Sequence, residues 1–152
     1  MSGISVANMD FAVSILERGE FVRGIEALVD ADLADGTLAL KLQFDTACLC
    51  VSVQEQDDMV EFLADWPRGR DNDVSVRVVT HRGLESLLIG KKLAWIWRME
   101  NHLRFVDAVQ LEFGGEPEQK VAVQLIAAAS TLDVRLVGPE MTRTFKGERG
   151  NE

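Results

Sequence analysis

The sequence predicts an α+β domain in which antiparallel meander sheets pack with a few short helices, organised as two pseudo-repeated halves. Three observations carry this expectation. Residues 37–44 alternate Leu38, Leu40, Leu42 and Phe44 with Ala39, Lys41 and Gln43, the period of a strand with one buried face. Further short runs of the same period follow, separated by turn residues such as Gly114-Gly115-Glu116-Pro117. The chain also echoes itself. Arg23-Gly24-Ile25-Glu26-Ala27-Leu28-Val29 resembles Arg82-Gly83-Leu84-Glu85-Ser86-Leu87-Leu88, and Leu42-Gln43-Phe44-Asp45 resembles Leu111-Glu112-Phe113-Gly114. Val51-Ser52-Val53 is matched in the same order by Val121-Ala122-Val123. These pairs suggest halves at residues 20–55 and 80–126 within one domain of residues 1–138, followed by a polar tail at 139–152.

Each element has its own signal. Residues 9–29 place Phe11, Ile15, Val22, Ile25 and Val29 at helical steps, with Asn8 or Asp10 as a cap. Gly19 and Gly24 weaken that pattern, so two short helices or one broken helix are expected. After the strand at 37–44, residues 48–54 return as a second strand with Leu49, Val51 and Val53 on one face. Its other face, Cys48, Cys50 and Ser52, is small enough to be covered as well. Residues 57–66 read as a helix with Met59, Phe62, Leu63 and Trp66 as its stripe and Asp57, Asp58 and Glu61 near its start. Val74, Val76 and Val78 mark a third strand, and residues 82–89 a short helix closed by Gly90. Strands at 93–99, 105–113, 120–126 and 132–137 complete the meander.

The totals bound the class of protein. At 152 residues, 47% hydrophobic and 27% charged, the chain can bury a core without disulfides or metals. No apolar run approaches a membrane span, and the first residues lack the basic and apolar regions of a secretory signal. Cys48 and Cys50, two apart on one strand, are poorly placed to bridge each other, so reduced thiols in a cytoplasmic protein are expected. The net charge of -9 argues against nucleic acid and anionic lipid as partners and suits a basic protein.

Chemistry-bearing motifs are sparse. There is no P-loop and no Gly-x-Gly-x-x-Gly after a strand. His81 and His102 have no metal-ligand spacing, and Asp71-Asn72-Asp73 lacks the glycine and glutamate of a calcium loop. Neither cofactor nor metal is therefore expected. Trp95 and Trp97 project from one strand face, opposite Ala94, Ile96 and Arg98. The expectation is that both rings fill the core beneath the helices; the alternative is a binding groove.

The stretch from Ile89 through Trp95-Ile96-Trp97-Arg98-Met99-Glu100-Asn101, followed by Asp107-Ala108-Val109-Gln110-Leu111-Glu112-Phe113, resembles an uncharacterised family of small bacterial proteins. The shared pattern is a Trp-x-Trp strand, an Asn turn and an Asp-Ala-x-x-Leu-x-Phe strand. The resemblance implies a bacterial, cytoplasmic domain and brings no catalytic residue with it.

Three functional expectations follow. The first is a non-enzymatic binding protein of the immunity or inhibitor type, steering a basic partner toward Glu55, Asp57, Asp58 and Glu61, or toward Glu112, Glu116 and Glu118. The second is a small-molecule binding domain with Trp95, Trp97, Arg98, Asn101 and His102 around a pocket. The third, a small hydrolase using Cys50 or a carboxylate pair, lacks the convergent polar groups of an active site. A homodimer through an exposed sheet edge is compatible with all three.

Overall fold

A computed structural model describes residues 6–54, 59–67, 75–100, 102, 106–114, 120–138 and 141–144. Among the described residues ten strands form two five-stranded antiparallel sheets that pack face to face. In chain order the elements are α1 (Val6–Arg18), β1 (Gly24–Asp30), a short 3-10 turn (Ala31–Leu33), β2 (Gly36–Gln43), β3 (Cys48–Gln54), β4 (Met59–Leu63) and β5 (Val76–Thr80). They continue with α2 (Arg82–Leu88), β6 (Lys92–Glu100), β7 (Val106–Gly114), β8 (Val121–Ala128), β9 (Thr131–Gly138) and β10 (Met141–Thr144). The first sheet runs β4-β3-β2-β1-β5 and the second β10-β9-β8-β7-β6. The expected α+β architecture of antiparallel meanders with short helices is present.

Three local expectations are corrected. The helical pattern of residues 9–29 yields one helix, α1, which begins before Asn8 and ends at Arg18. Gly19 stops it with a left-handed φ of +66°, and its amide bonds back to the Leu16 carbonyl at 3.0 Å. Beyond it, Ile25, Ala27 and Val29 alternate inward as strand β1. Residues 57–66 contain strand β4 in place of a helix. Val60 and Phe62 face the main core, and pairing to β3 satisfies the backbone of an edge that a helix would leave open. In the internal echo, Arg23–Val29 lies largely in strand β1 whereas Arg82–Leu88 forms helix α2, so that pair shares a pattern and not a structure. The other two pairs fall on strands in both copies, at the ends of β2 and β7 and on β3 and β8. Strand β10 occupies part of the expected tail.

The core is the space between the sheets. Leu40, Leu42, Val51, Val60 and Phe62 from the first meet Val109, Leu111, Phe113, Val123 and Leu125 from the second. Helices α1 and α2 extend this cluster through Ala12 and Ile15, and through Leu84 and Leu88. The two sheets differ on their outer faces. The first buries a second, smaller cluster there, with Leu28, Leu38, Ala39 and Cys50 packed against Leu63, Trp66 and Val76. The expected covering of the Cys50–Ser52 face is thus found. The second sheet leaves Trp95, Trp97 and Arg135 exposed on its outer face, beside the part-buried Gln110, Glu112 and Gln124.

A buried carboxylate ties the helix end to this frame. Glu20 accepts hydrogen bonds from the Thr46 amide at 2.8 Å and hydroxyl at 2.5 Å, and from Arg18 Nε at 2.6 Å. The Thr46 hydroxyl, more than any other group, holds its pKa down at about 2 from the usual 4.5, against the opposing cost of burial. Asp45 repeats the device beside it, accepting from the Phe21 amide and Arg23 Nε. Because the Glu20 pKa is depressed in the folded state, its contribution is complete above pH 4.5 and is lost as the pH falls toward 2. Glu20→Gln should lower stability at neutral pH by about 1–3 kcal/mol and flatten the acid limb of the stability curve. Urea unfolding at a series of pH values measures both effects.

Candidate functional site

The outer face of the second sheet follows from strand register. Antiparallel pairing places Trp95 opposite Glu112 and Trp97 opposite Gln110; Gln110 is in turn opposite Gln124, and Gln124 opposite Arg135. Directly opposed residues share a face, so these side chains form two adjoining rows across four strands. Inward positions of the same strands carry Leu93, Val109, Leu111, Phe113, Val123, Leu125 and Leu136, all buried.

The tryptophans reach the outer face through a β-bulge. Leu93 is opposite Phe113 and points into the core at 2% exposure, but the register shifts between Leu93 and Trp95. A regular strand would send residues 93, 95 and 97 to the same side. The extra residue, Ala94, reverses the alternation, and Trp95 and Trp97 emerge 52% and 50% exposed. The expectation that both fill the core is therefore overturned.

The two indoles touch, with centroids 6.0 Å apart and planes inclined by 49°. Trp97 Nε1 donates to Glu112 Oε2 at 2.7 Å, and Gln110 Nε2 donates to the same oxygen at 3.0 Å. Gln124 Nε2 then donates to Gln110 Oε1 at 2.9 Å. One carboxylate therefore orients a tryptophan and anchors a polar chain reaching β8. The result is an open, ordered aromatic and polar face with a negative centre.

The remaining expected site residues separate from this face. Arg98 is opposite Val109 on the other side of β6, exposed at the sheet edge and 3.0 Å from Glu100. His102 sits in an exposed turn. Asn101, Glu55, Asp57, Asp58, Glu116 and Glu118 lie outside the described residues. Glu61 is on β4, in the first sheet, where it accepts from Gln54 Nε2 at 3.1 Å. The sequence listing of pocket residues thus joins groups that the fold places on two faces. Gln110 and Gln124 are absent from it; Gln110 has the parity of Glu112 on β7, and Gln124 is its opposite number on β8.

A cleft of about 460 Å³ lies elsewhere, where the β1–β2 connection meets the β8–β9 hairpin. Asp35, Thr37, Thr131 and Asp133 supply its polar lining. Gly36 permits this approach, since a Cβ there would lie 2.9 Å from the Thr131 methyl and 3.0 Å from the Leu33 carbonyl. Both aspartates are already paired, Asp35 with Arg77 and Asp133 with Arg135. Neither tryptophan lines it, so the indoles and the cleft do not combine into the expected pocket.

Among the described residues no group of three or more His, Cys, Asp or Glu side chains is arranged to hold a metal. His81 caps α2, its Nδ1 accepting from the Leu84 amide at 3.2 Å, and burial lowers its pKa so that the accepting neutral form is favoured. Cys50 is fully buried, and this burial pushes its thiol up to about 12. The nucleophilic thiolate is thus suppressed there at neutral pH. Cys48 is partly exposed. An aromatic disulfide reagent should modify Cys48 in the native protein and reach Cys50 only on unfolding; rapid native modification of both thiols would contradict this burial.

The chain matches the family of unknown function DUF6334 over residues 7–140 and belongs to it. No curated protein and no solved structure matches the chain. Among the described residues no helix is long and apolar enough to cross a membrane.

Proposed function

We propose that this member of the family of unknown function DUF6334 is a non-enzymatic binding protein that docks a basic protein partner on the outer face of its second sheet. The observation that carries this reading is the adjacent pair Trp95 and Trp97, half exposed and oriented by Glu112. Tryptophans in this setting offer large contact area with little side-chain entropy to lose, as in the anchor residues of interfaces. Glu112, Gln110 and Gln124 add directional polar contacts beside them. The net charge of -9 favours encounter with a basic surface and opposes nucleic acid. An immunity or inhibitor role in the cytoplasm of a bacterium is the biological setting that suits this chemistry. An open face supports a macromolecular partner better than a small molecule, which is more commonly bound in a concavity.

The same reading takes the two sheets as related halves. Each consists of a helix followed by an antiparallel meander, and two of the three echoes fall on strands in both copies. The halves then differ in what covers them, since the first sheet buries both faces and the second leaves one for docking.

Immobilised protein should capture a basic protein from source-cell extract at low salt and release it at about 0.5 M salt. Replacing both tryptophans (Trp95→Ser with Trp97→Ser) should reduce that capture at least about tenfold, while Leu33→Ser, at the distant cleft, should leave it intact. Equal capture by wild type and the double variant would refute docking on this face.

A further inference from the structure

We propose that the tryptophan face recognises a guanidinium: an arginine side chain of the partner stacks on the Trp95 indole and pairs with the Glu112 carboxylate. This deepens, and rests on, the reading that a basic protein docks there. The chain itself builds the same combination twice. Arg23 lies 5.7 Å above the Phe21 ring and is held 2.5 Å from Asp45. Lys41 lies 5.0 Å above Trp66 and is held 2.8 Å from Asp65. In each case a cation uses the negative face of a ring while a carboxylate fixes its position.

Trp95, Trp97 and Glu112 present the ring and the carboxylate of that combination on an open sheet. Glu112 stands directly across the ladder from Trp95, on the same face. Its Oε2 already accepts from Trp97 and Gln110, and an ionised carboxylate has lone pairs on its second oxygen with which to accept a further donor. Among the described residues neither a ring-stacked cation nor an ion pair involves Trp95, Trp97 or Glu112. Arg98 cannot supply one, because it projects from the other side of β6 toward Glu100. Arg135, in the second row, is engaged by Asp133 at 2.9 Å.

Arginine fits better than lysine for two reasons. The planar guanidinium stacks on an indole and still directs an N–H toward a carboxylate at its edge. It is also more weakly hydrated than an ammonium, which matters on a face that remains wet. Shape and charge therefore select the same side chain.

The test uses the intact protein and three small probes: the N-acetyl amides of arginine, lysine and citrulline, the last an uncharged near-isostere of arginine. The indole N–H resonances of Trp95 and Trp97 report binding, with Trp66 as internal control. Arginine amide should shift Trp95 and Trp97 saturably, with a midpoint of about 10 mM or below. Lysine and citrulline amides should bind at least about fivefold more weakly. Glu112→Gln keeps an acceptor for Trp97 and removes the charge, so it should weaken the arginine response about five- to tenfold. No saturable shift up to about 50 mM, equal responses to the three amides, or an unchanged response in Glu112→Gln would each overturn the proposal. The two readings fail separately. If capture of the cellular partner needs the tryptophans but tolerates Glu112→Gln, docking stands and the arginine assignment falls. If capture ignores the tryptophans, the docking reading falls.

Discussion

One inserted residue decides what this protein shows to solvent. The interior between the sheets demands apolar side chains from every strand that faces it, and a strand meets that demand with alternate residues. Strand β6 begins in phase, with Leu93 buried opposite Phe113. Ala94 then breaks the phase, and the alternation beyond it runs the other way. Ile96 takes the inward position opposite Leu111, and two indoles go outward. Without the bulge Trp95 and Trp97 would be directed into a core already filled by Leu111, Phe113 and Phe62, where added volume is strongly unfavourable. The bulge is thus a packing solution and the origin of the exposed face.

The first sheet shows what the same chain does with a tryptophan it does not display. Trp66 packs against the small outer cluster, and Lys41 covers its ring while bound to Asp65. Among the described residues Trp95 and Trp97 have each other as ring partners, and Trp97 has the Glu112 network. Leaving half of each ring in water forgoes roughly 100 Å² of burial apiece, on the order of 2–3 kcal/mol each. A partner that covers them recovers that free energy. Because the Glu112 hydrogen bond fixes Trp97 in advance, less side-chain entropy is lost on docking. The rigidity of the platform derives from the sandwich beneath it, and ties such as Glu20 to Thr46 keep α1 and the β2–β3 turn in place.

Much of the fold was legible in the sequence because period two is a strong signal. Strand β3 and helix α2 were readable almost to the residue, and β2, β7, β8 and β9 nearly so. Segments whose apolar residues satisfy two periods were misread. Ile25 and Val29 lie four apart and fit a helix, yet with Ala27 between them they also fit a strand face; Gly19 and the neighbouring strands decide for the strand. Met59, Phe62 and Leu63 likewise mimic a helical stripe, and the unpaired edge of β3 decides the matter. The candidate site was half legible. Trp-x-Trp on a strand was plain, but its direction depends on a bulge that no local residue pattern announces. The partnership with Glu112, Gln110 and Gln124 depends on register between strands, which is a tertiary property.

The most direct test of the outward register is acrylamide quenching of tryptophan fluorescence in a Trp66→Phe background, which leaves Trp95 and Trp97 as the emitters. Half-exposed rings should give red-shifted emission that acrylamide quenches substantially, though less than a free indole derivative, in a protein that remains folded. Blue-shifted emission that resists the quencher until the protein is unfolded would place both rings in the core and contradict it.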